Sequence, residues 1–289
     1  MVSLSNKHSF FLPGECKDPS YRNVRDNPDR PFVRAFLGSL WSRYYDLADP
    51  NFRTSAKNDF HPRFWEMFLA VTLRERGFEL NRVGDEGPEF YFMHNGRKIW
   101  VEAVAPGPGE GNDRVPDCRQ GETVPVEKIL LRFTNPLDKK KENYNRAVEK
   151  KIIAPEDLYL LAINSRGIPH APFGNTLPFF VQAFLPFGPL TYELDVITKE
   201  IVDPYYQFRE SIEKQSGKAV PTTAFLNPEF SFISAVLHSG VGCEDCPTIF
   251  GQDFIILYNP TNPLDPSIFN WCQQIFYRDG YLEFIPELK

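Results

Sequence analysis

Two glutamates, Glu89 and Glu102, stand at equal distances on either side of the dipeptide Asn95-Gly96. Asn-Gly between extended segments favours a two-residue type I′ hairpin, and so short a loop fixes the pairing register. Met93 then faces Lys98, Tyr91 faces Trp100, and Glu89 faces Glu102. Strand alternation puts these six on one face. The other face carries Phe90, Phe92, Ile99, Val101, Ala103 and Ala105, is apolar throughout, and must pack on the core; the two alanines would let a helix approach closely. The Cβ atoms of the two glutamates should lie roughly 4.5–5.5 Å apart. Like charges at that separation repel. The remedies are solvent, a shared proton, a neighbouring cation or a bound metal. Paired carboxylates suit Mg²⁺ or Mn²⁺, which prefer oxygen ligands. The plainer reading is a solvated strand face, against which stand the apolar flanks Tyr91, Trp100 and Val104.

These residues need elements to hold them. Asp59, as a cap, and Pro62, as a first helical residue, predict a helix over 62–76 that Gly77 stops. Within it Glu66 is surrounded by Phe64, Trp65, Phe68, Leu69 and Leu73, so a carboxylate on the edge of an apolar face could reach the sheet. Strands are expected at 78–82, 89–93 and 98–105, a Gly- and Pro-rich loop at 106–125, a helix at 137–152, and a buried strand at 158–163. Upstream, 1–30 reads as an extended polar arm. Val33, Phe36, Leu37, Leu40, Trp41 and Tyr44 recur at helical spacing over 32–47. Downstream, strands are expected at 190–197, 230–237 and 253–258, with a helix near 204–215. The simplest division is an N-terminal arm and helix, 1–58, packed on one domain, 59–289.

The 289 residues include 26 Phe and 26 Pro, which points to a sizeable core with many irregular connections rather than a helical bundle. A formal charge of −6 argues against a large non-specific DNA clamp, though not against a local basic patch. Residues 1–14 lack a signal-peptide pattern, and the longest apolar tract, 177–190, is broken by Pro178, Pro186, Gly188 and Pro189. Five cysteines without a disulfide-like rhythm are expected to be reduced. The expectation is a cytoplasmic protein without membrane association.

With the element order and the acidic pair in place, the segment 60–163 resembles the PD-(D/E)xK nuclease superfamily, whose restriction-endonuclease-like core is α-β-β-β-α-β. Glu66 matches the family's helix glutamate, Pro88-Glu89 its P-D pair, and Glu102-Ala103-Val104 its E-x-K. Val104 departs from the pattern, because it stands where the lysine belongs. In such families the lysine can migrate to a neighbouring element. Here the following helix carries Lys139-Lys140-Lys141, and Lys140 shares a face with Leu137, Tyr144, Ala147 and Val148. The resemblance implies an α/β fold, a mixed sheet with an N-terminal helical appendage and C-terminal strand additions. It implies Mg²⁺ or Mn²⁺ held by Glu89, Glu102 and Glu66, with Lys140 as the catalytic cation. It also implies phosphodiester hydrolysis of nucleic acid, DNA ahead of RNA, in restriction or defence, with a homodimer plausible. The alternative is a catalytically inactive relative serving as a binding or assembly module, which the missing E-x-K lysine and the acidic charge favour. A third is an unrelated α/β domain with a Phe-rich binding surface.

Other signals carry less. Cys243-x-x-Cys246 with His238 lacks an evident fourth zinc ligand. His61 reads as a helix-start residue, although some relatives place a histidine at the metal. Gly107-Pro108-Gly109-Glu110-Gly111 has no following Lys-Ser/Thr and is not a phosphate loop.

Overall fold

In the computed structural model, residues 9–84, 87–171, 177–201 and 204–286 are described. Helices α1 (Pro19–Asp26), α2 (Pro31–Tyr44), α3 (Phe52–Ala56) and α4 (Phe60–Glu75) precede strands β1 (Phe90–His94) and β2 (Arg97–Val104). Helix α5 (Val126–Glu149) leads to β3 (Leu158–Asn164), then α6 (Phe179–Phe184). The second half adds β4 (Phe187–Thr191), β5 (Tyr205–Phe208), β6 (Ser211–Glu213), β7 (Ala219–Pro221), β8 (Ala235–Ser239), β9 (Ile255–Tyr258), β10 (Gln273–Arg278) and β11 (Tyr281–Ile285). The fold is mixed α/β. A seven-stranded mixed sheet runs in the order β1-β2-β3-β8-β9-β10-β11, and β4-β5 and β6-β7 form two small sheets. The β1–β2 pair is antiparallel, and the β2–β3 and β3–β8 pairs are parallel.

The strand alternation sorts two cores. Phe90, Phe92, Ile99, Val101, Leu160 and Ala162 pack with α1–α4 on one face. Trp100, Tyr159, Leu161 and Ile163 pack with α5 and α6 on the other. β3, parallel to both neighbours and covered on both faces, is buried at every position, as the interior strand of such a sheet must be. Helix α4 is buried from Phe64 to Leu73 because α2 and α3 cover the side turned from the sheet. The Trp65 indole N–H donates to the Ala162 carbonyl at 3.0 Å and pins this helix to β3.

Several boundaries differ from the sequence reading. The segment 9–30 is not an extended arm: it holds α1 and buries Phe10, Tyr21 and Val24. Helix α4 starts at Phe60, not Pro62, and the Asp59 side chain makes no capping bond. Asp18 does that work at a distance. Its Oδ1 accepts the Ser20 and Tyr21 amides at 2.8 and 2.9 Å, and its Oδ2 accepts the Phe60 amide at 3.0 Å. One carboxylate thus serves the N-termini of two helices, where the macrodipole favours negative charge. Gly77 does end α4, in the left-handed conformation (φ 88°) that glycine adopts without strain.

The strand expected at 78–82 is a single bridge, Asn81 to Tyr91. Helix α5 begins at Val126, not Leu137, and continues through Pro136. Proline there removes one helical hydrogen bond, but Ile129, Leu130, Leu131, Phe133 and Leu137 are buried on either side of it and hold the helix to the sheet. The helix expected near 204–215 is two short strands, β5 and β6, because their residues pair with β4 and β7. The expected strand at 190–197 extends over 187–191, and that at 230–237 is replaced by 235–239. Helices α3 and α6 and the β10–β11 hairpin were not anticipated. No helix among the described residues is long and apolar enough to cross a membrane.

The shared cap is testable. Asp18→Ala should lower stability in urea denaturation by about 1–2 kcal/mol, and Asp59→Ala by less than half as much. Equal effects would mean that Asp18 does not serve both helices.

Candidate active site

The hairpin forms in the expected register. Asn95 (φ 49°) and Gly96 (φ 76°) make the turn, Met93 pairs with Lys98, Tyr91 with Trp100, and Phe90 with Val101. The ladder ends there, so Glu89 and Glu102 are the next opposed pair. Beyond the end of β1 the Ala103 amide has no strand partner; it donates instead to Glu89 Oε2 at 2.8 Å. The Glu89 carboxylate therefore stands in for a ladder carbonyl, which draws it back over β2. The residue keeps some surface, but its carboxyl group lies inside.

Glu102 is 8% exposed and forms an ion pair with Lys140. The ammonium arrives from α5, whose apolar stripe of Phe133, Leu137 and Tyr144 packs on this sheet face; the lysine stem follows the stripe. The Tyr159 hydroxyl lies close enough to Glu102 to feel its charge. Tyr159 was missed in the sequence reading. The signal was its place in an otherwise aliphatic strand: it is the β3 partner of Trp100, which puts it on the carboxylate face.

The electrostatics are uneven. Burial first, then the charges of Glu102 and Glu66, push the Glu89 carboxyl well above the usual carboxylate range; Lys140 and the Ala103 amide oppose this. Burial, then Glu102 and Glu89, likewise raise the Tyr159 phenol, which keeps it a hydrogen-bond donor. Glu66 is buried on the opposite face, where one oxygen accepts Tyr44 Oη at 2.5 Å and the other Arg63 Nη1 at 2.6 Å. Arg82 Nη1 lies 3.9 Å away. Burial raises the Glu66 carboxyl, and these partners pull it down. The structure thus brings Glu89, Glu102 and Lys140 together, with Glu66 in electrostatic range but its oxygens engaged elsewhere.

A cleft of about 300 Å³ opens beside Glu102 between Gly87-Pro88 and the C-terminal half of α5. Of the neighbouring lysines, Lys141 pairs with Glu229, Lys139 is exposed, and Lys98 lies over the Tyr91 and Trp100 rings. His61 has different neighbours: burial pushes its imidazole down to about 4, and Asn164, Arg166 and Asp18 are the groups nearby that bear on it. Cys243 and Cys246 are free thiols, and burial pushes Cys243 up to about 12. Cys272 is buried and donates to the Phe269 carbonyl. Among the described residues no three His, Cys, Asp or Glu side chains converge as a ready-made metal cage.

Comparison with known proteins finds no matching family model, curated protein or solved structure.

The two glutamates should respond oppositely to neutralisation in metal-free buffer. A carboxyl raised in the folded state contributes stability that is present below its unfolded pKa and lost as pH rises through the folded value. Glu89→Gln should therefore stabilise the protein more at pH 8 than at pH 4. Glu102→Gln leaves the Lys140 ammonium without its counter-charge and should destabilise by about 1–3 kcal/mol. Chemical denaturation at both pH values reads this out; a pH-independent Glu89→Gln effect would contradict the environment described.

Proposed function

We propose that the chain is a metal-dependent nuclease of the PD-(D/E)xK type with a migrated lysine. The observation that carries the reading is the meeting of Lys140 with Glu102 beside Glu89, which supplies from α5 the cation that Val104 cannot. The order of elements supports it. Helix α4 is followed by the Asn81 bridge, antiparallel β1 and β2, helix α5, and β3 parallel to β2. With the bridge counted in place of a first strand, this order is compatible with the α-β-β-β-α-β reading.

The donor set fits a hard divalent cation. Mg²⁺ is commonly held by one or two carboxylates together with water and substrate phosphate, without an all-protein cage. Glu89 and Glu102 are such a pair, and the raised Glu89 carboxyl is what two crowded, buried acids show when no second positive charge is near. In this reading Glu89 and Glu102 hold Mg²⁺ or Mn²⁺. When bound, the ion supplies Lewis-acid activation of water and neutralisation of the scissile phosphate. Lys140 directs its ammonium at the developing negative charge. Glu66 adds negative potential from behind the sheet, and joins the ligands only by releasing Tyr44 or Arg63.

The same ion pair favours a second reading. A lysine already bound to Glu102 can act as a structural lock, as in a non-catalytic relative serving as a binding module. Activity separates the two. With Mn²⁺ or Mg²⁺ the wild type should cleave DNA or RNA, and millimolar Mn²⁺ should raise its melting temperature. Lys140→Ala should lower cleavage by about 100-fold or more while the Mn²⁺-dependent thermal shift persists, and Lys139→Ala and Lys141→Ala should at most weaken binding. No cleavage and no metal-dependent shift in the wild type would leave the binding module as the better account.

A further inference from the structure

The cleft beside Glu102 gives access to one of the two carboxylates. Gly87-Pro88 forms one side and the end of α5 the other, with Glu102 at the floor. A phosphate that touches Glu102 must bring its own nucleotide between these walls. Its free space of about 300 Å³ is on the scale of a single nucleotide. We propose that the site takes an unpaired nucleic-acid strand, one nucleotide at a time, rather than the interior of a duplex; this rests on the nuclease reading of the carboxylate pair.

The lining has the chemistry for it. Tyr144, half-buried, lines the cleft with part of its ring, and Tyr159, almost wholly buried, backs it. The Tyr144 ring is stacked on Phe232 at 4.3 Å and meets Tyr159 edge-on at 5.6 Å, so neither must be ordered by the ligand. Ile152 and Ile153 extend the apolar wall. Aromatic and apolar faces accept any base, which is how unpaired strands are gripped without sequence preference. The rim carries Asn143, Arg146 and Lys150. Arg146 and Lys150 are one helical turn apart on α5 and share a face. The Arg146 guanidinium donates to Asn143 Oδ1 at 2.9 Å, which orients it, and no carboxylate among the described residues pairs with it. A chain of net charge −6 has little general attraction for a duplex backbone, so cations gathered at this rim select where a phosphodiester lies.

Fluorescence anisotropy of a labelled single-stranded oligonucleotide, as DNA and as RNA, against a blunt duplex of the same sequence tests the proposal without turnover, in metal-free and Ca²⁺ buffers. At least one single strand should bind ten or more times tighter than the duplex. Arg146→Ala with Lys150→Ala should weaken that binding at least tenfold and reduce the slope of log K against log salt by roughly 1, while Lys139→Ala with Lys218→Ala, an equal loss of charge, should not. Thermal melts of both double variants exclude unfolding as the cause. Duplex binding equal to or tighter than single-strand binding would overturn the proposal, as would equal weakening by the two double variants. The two readings fail separately: single-strand binding without cleavage by any metal sinks the nuclease, and duplex cleavage unaffected by the rim variant sinks the cleft.

Discussion

Two carboxylates on opposed strand ends repel one another, and sheet pairing leaves them no room to part. Glu89 and Glu102 are in this position because a two-residue turn at Asn95-Gly96 sets the register of β1 and β2. The surrounding structure resolves the conflict unequally. Glu102 receives an ammonium. Among the described residues Glu89 accepts a hydrogen bond from a backbone amide, and it stays the group that favours its proton. This difference depends on α5, because Lys140 reaches Glu102 only if the helix lies along this face of the sheet. The burial of Ile129, Leu130, Leu131 and Phe133 upstream of Pro136 keeps it there. Residues well away from the carboxylates therefore determine the charge between them.

The opposite face is organised around another buried acid. Helix α4 is buried from Phe64 to Leu73, and Glu66 is the one charged residue in that stretch. Burying a carboxylate is costly unless it is paired and hydrogen-bonded. Tyr44 from α2, Arg63 one turn earlier on α4, and Arg82 from the bridged segment together meet that need. The network ties the N-terminal helices to the segment that leads into β1. With the double cap by Asp18, it makes residues 9–60 part of the packing that positions Glu89.

What could be read from the sequence was the local chemistry with a fixed geometry. An Asn-Gly turn permits one register, so the opposed glutamates and the two faces of the hairpin followed from it. Helical periodicity singled out Lys140 among three adjacent lysines, and the structure pairs that one with Glu102. What escaped was decided by tertiary contact. Pro136 reads as a helix start, and only burial on both sides keeps it internal. Tyr205-Tyr206-Gln207-Phe208 has no decisive period, and its pairing with β4 makes it a strand. The Asp279-Gly280 turn of the β10–β11 hairpin carries the same kind of signal as Asn95-Gly96 (φ 50° and 87°) and could have been found the same way. Asp18 could not: nothing local shows that it caps a helix beginning at Phe60.

A charge count relates these features to the proposed chemistry. Arg63 compensates Glu66, so the working group reduces to Glu89, Glu102 and Lys140, with a net charge of about −1 once both acids are ionised. A divalent cation turns this to about +1, which matches the single negative charge of a phosphodiester. Without Lys140 the metal-loaded site would be neutral and would have no residual attraction for substrate. With a second carboxylate left uncompensated, the loaded site would be neutral as well. In the proposed nuclease reading, the same ion pair would bring the metal-loaded site to a charge opposite to that of a phosphodiester. The Arg146–Lys150 rim adds positive charge along the cleft that opens on Glu102.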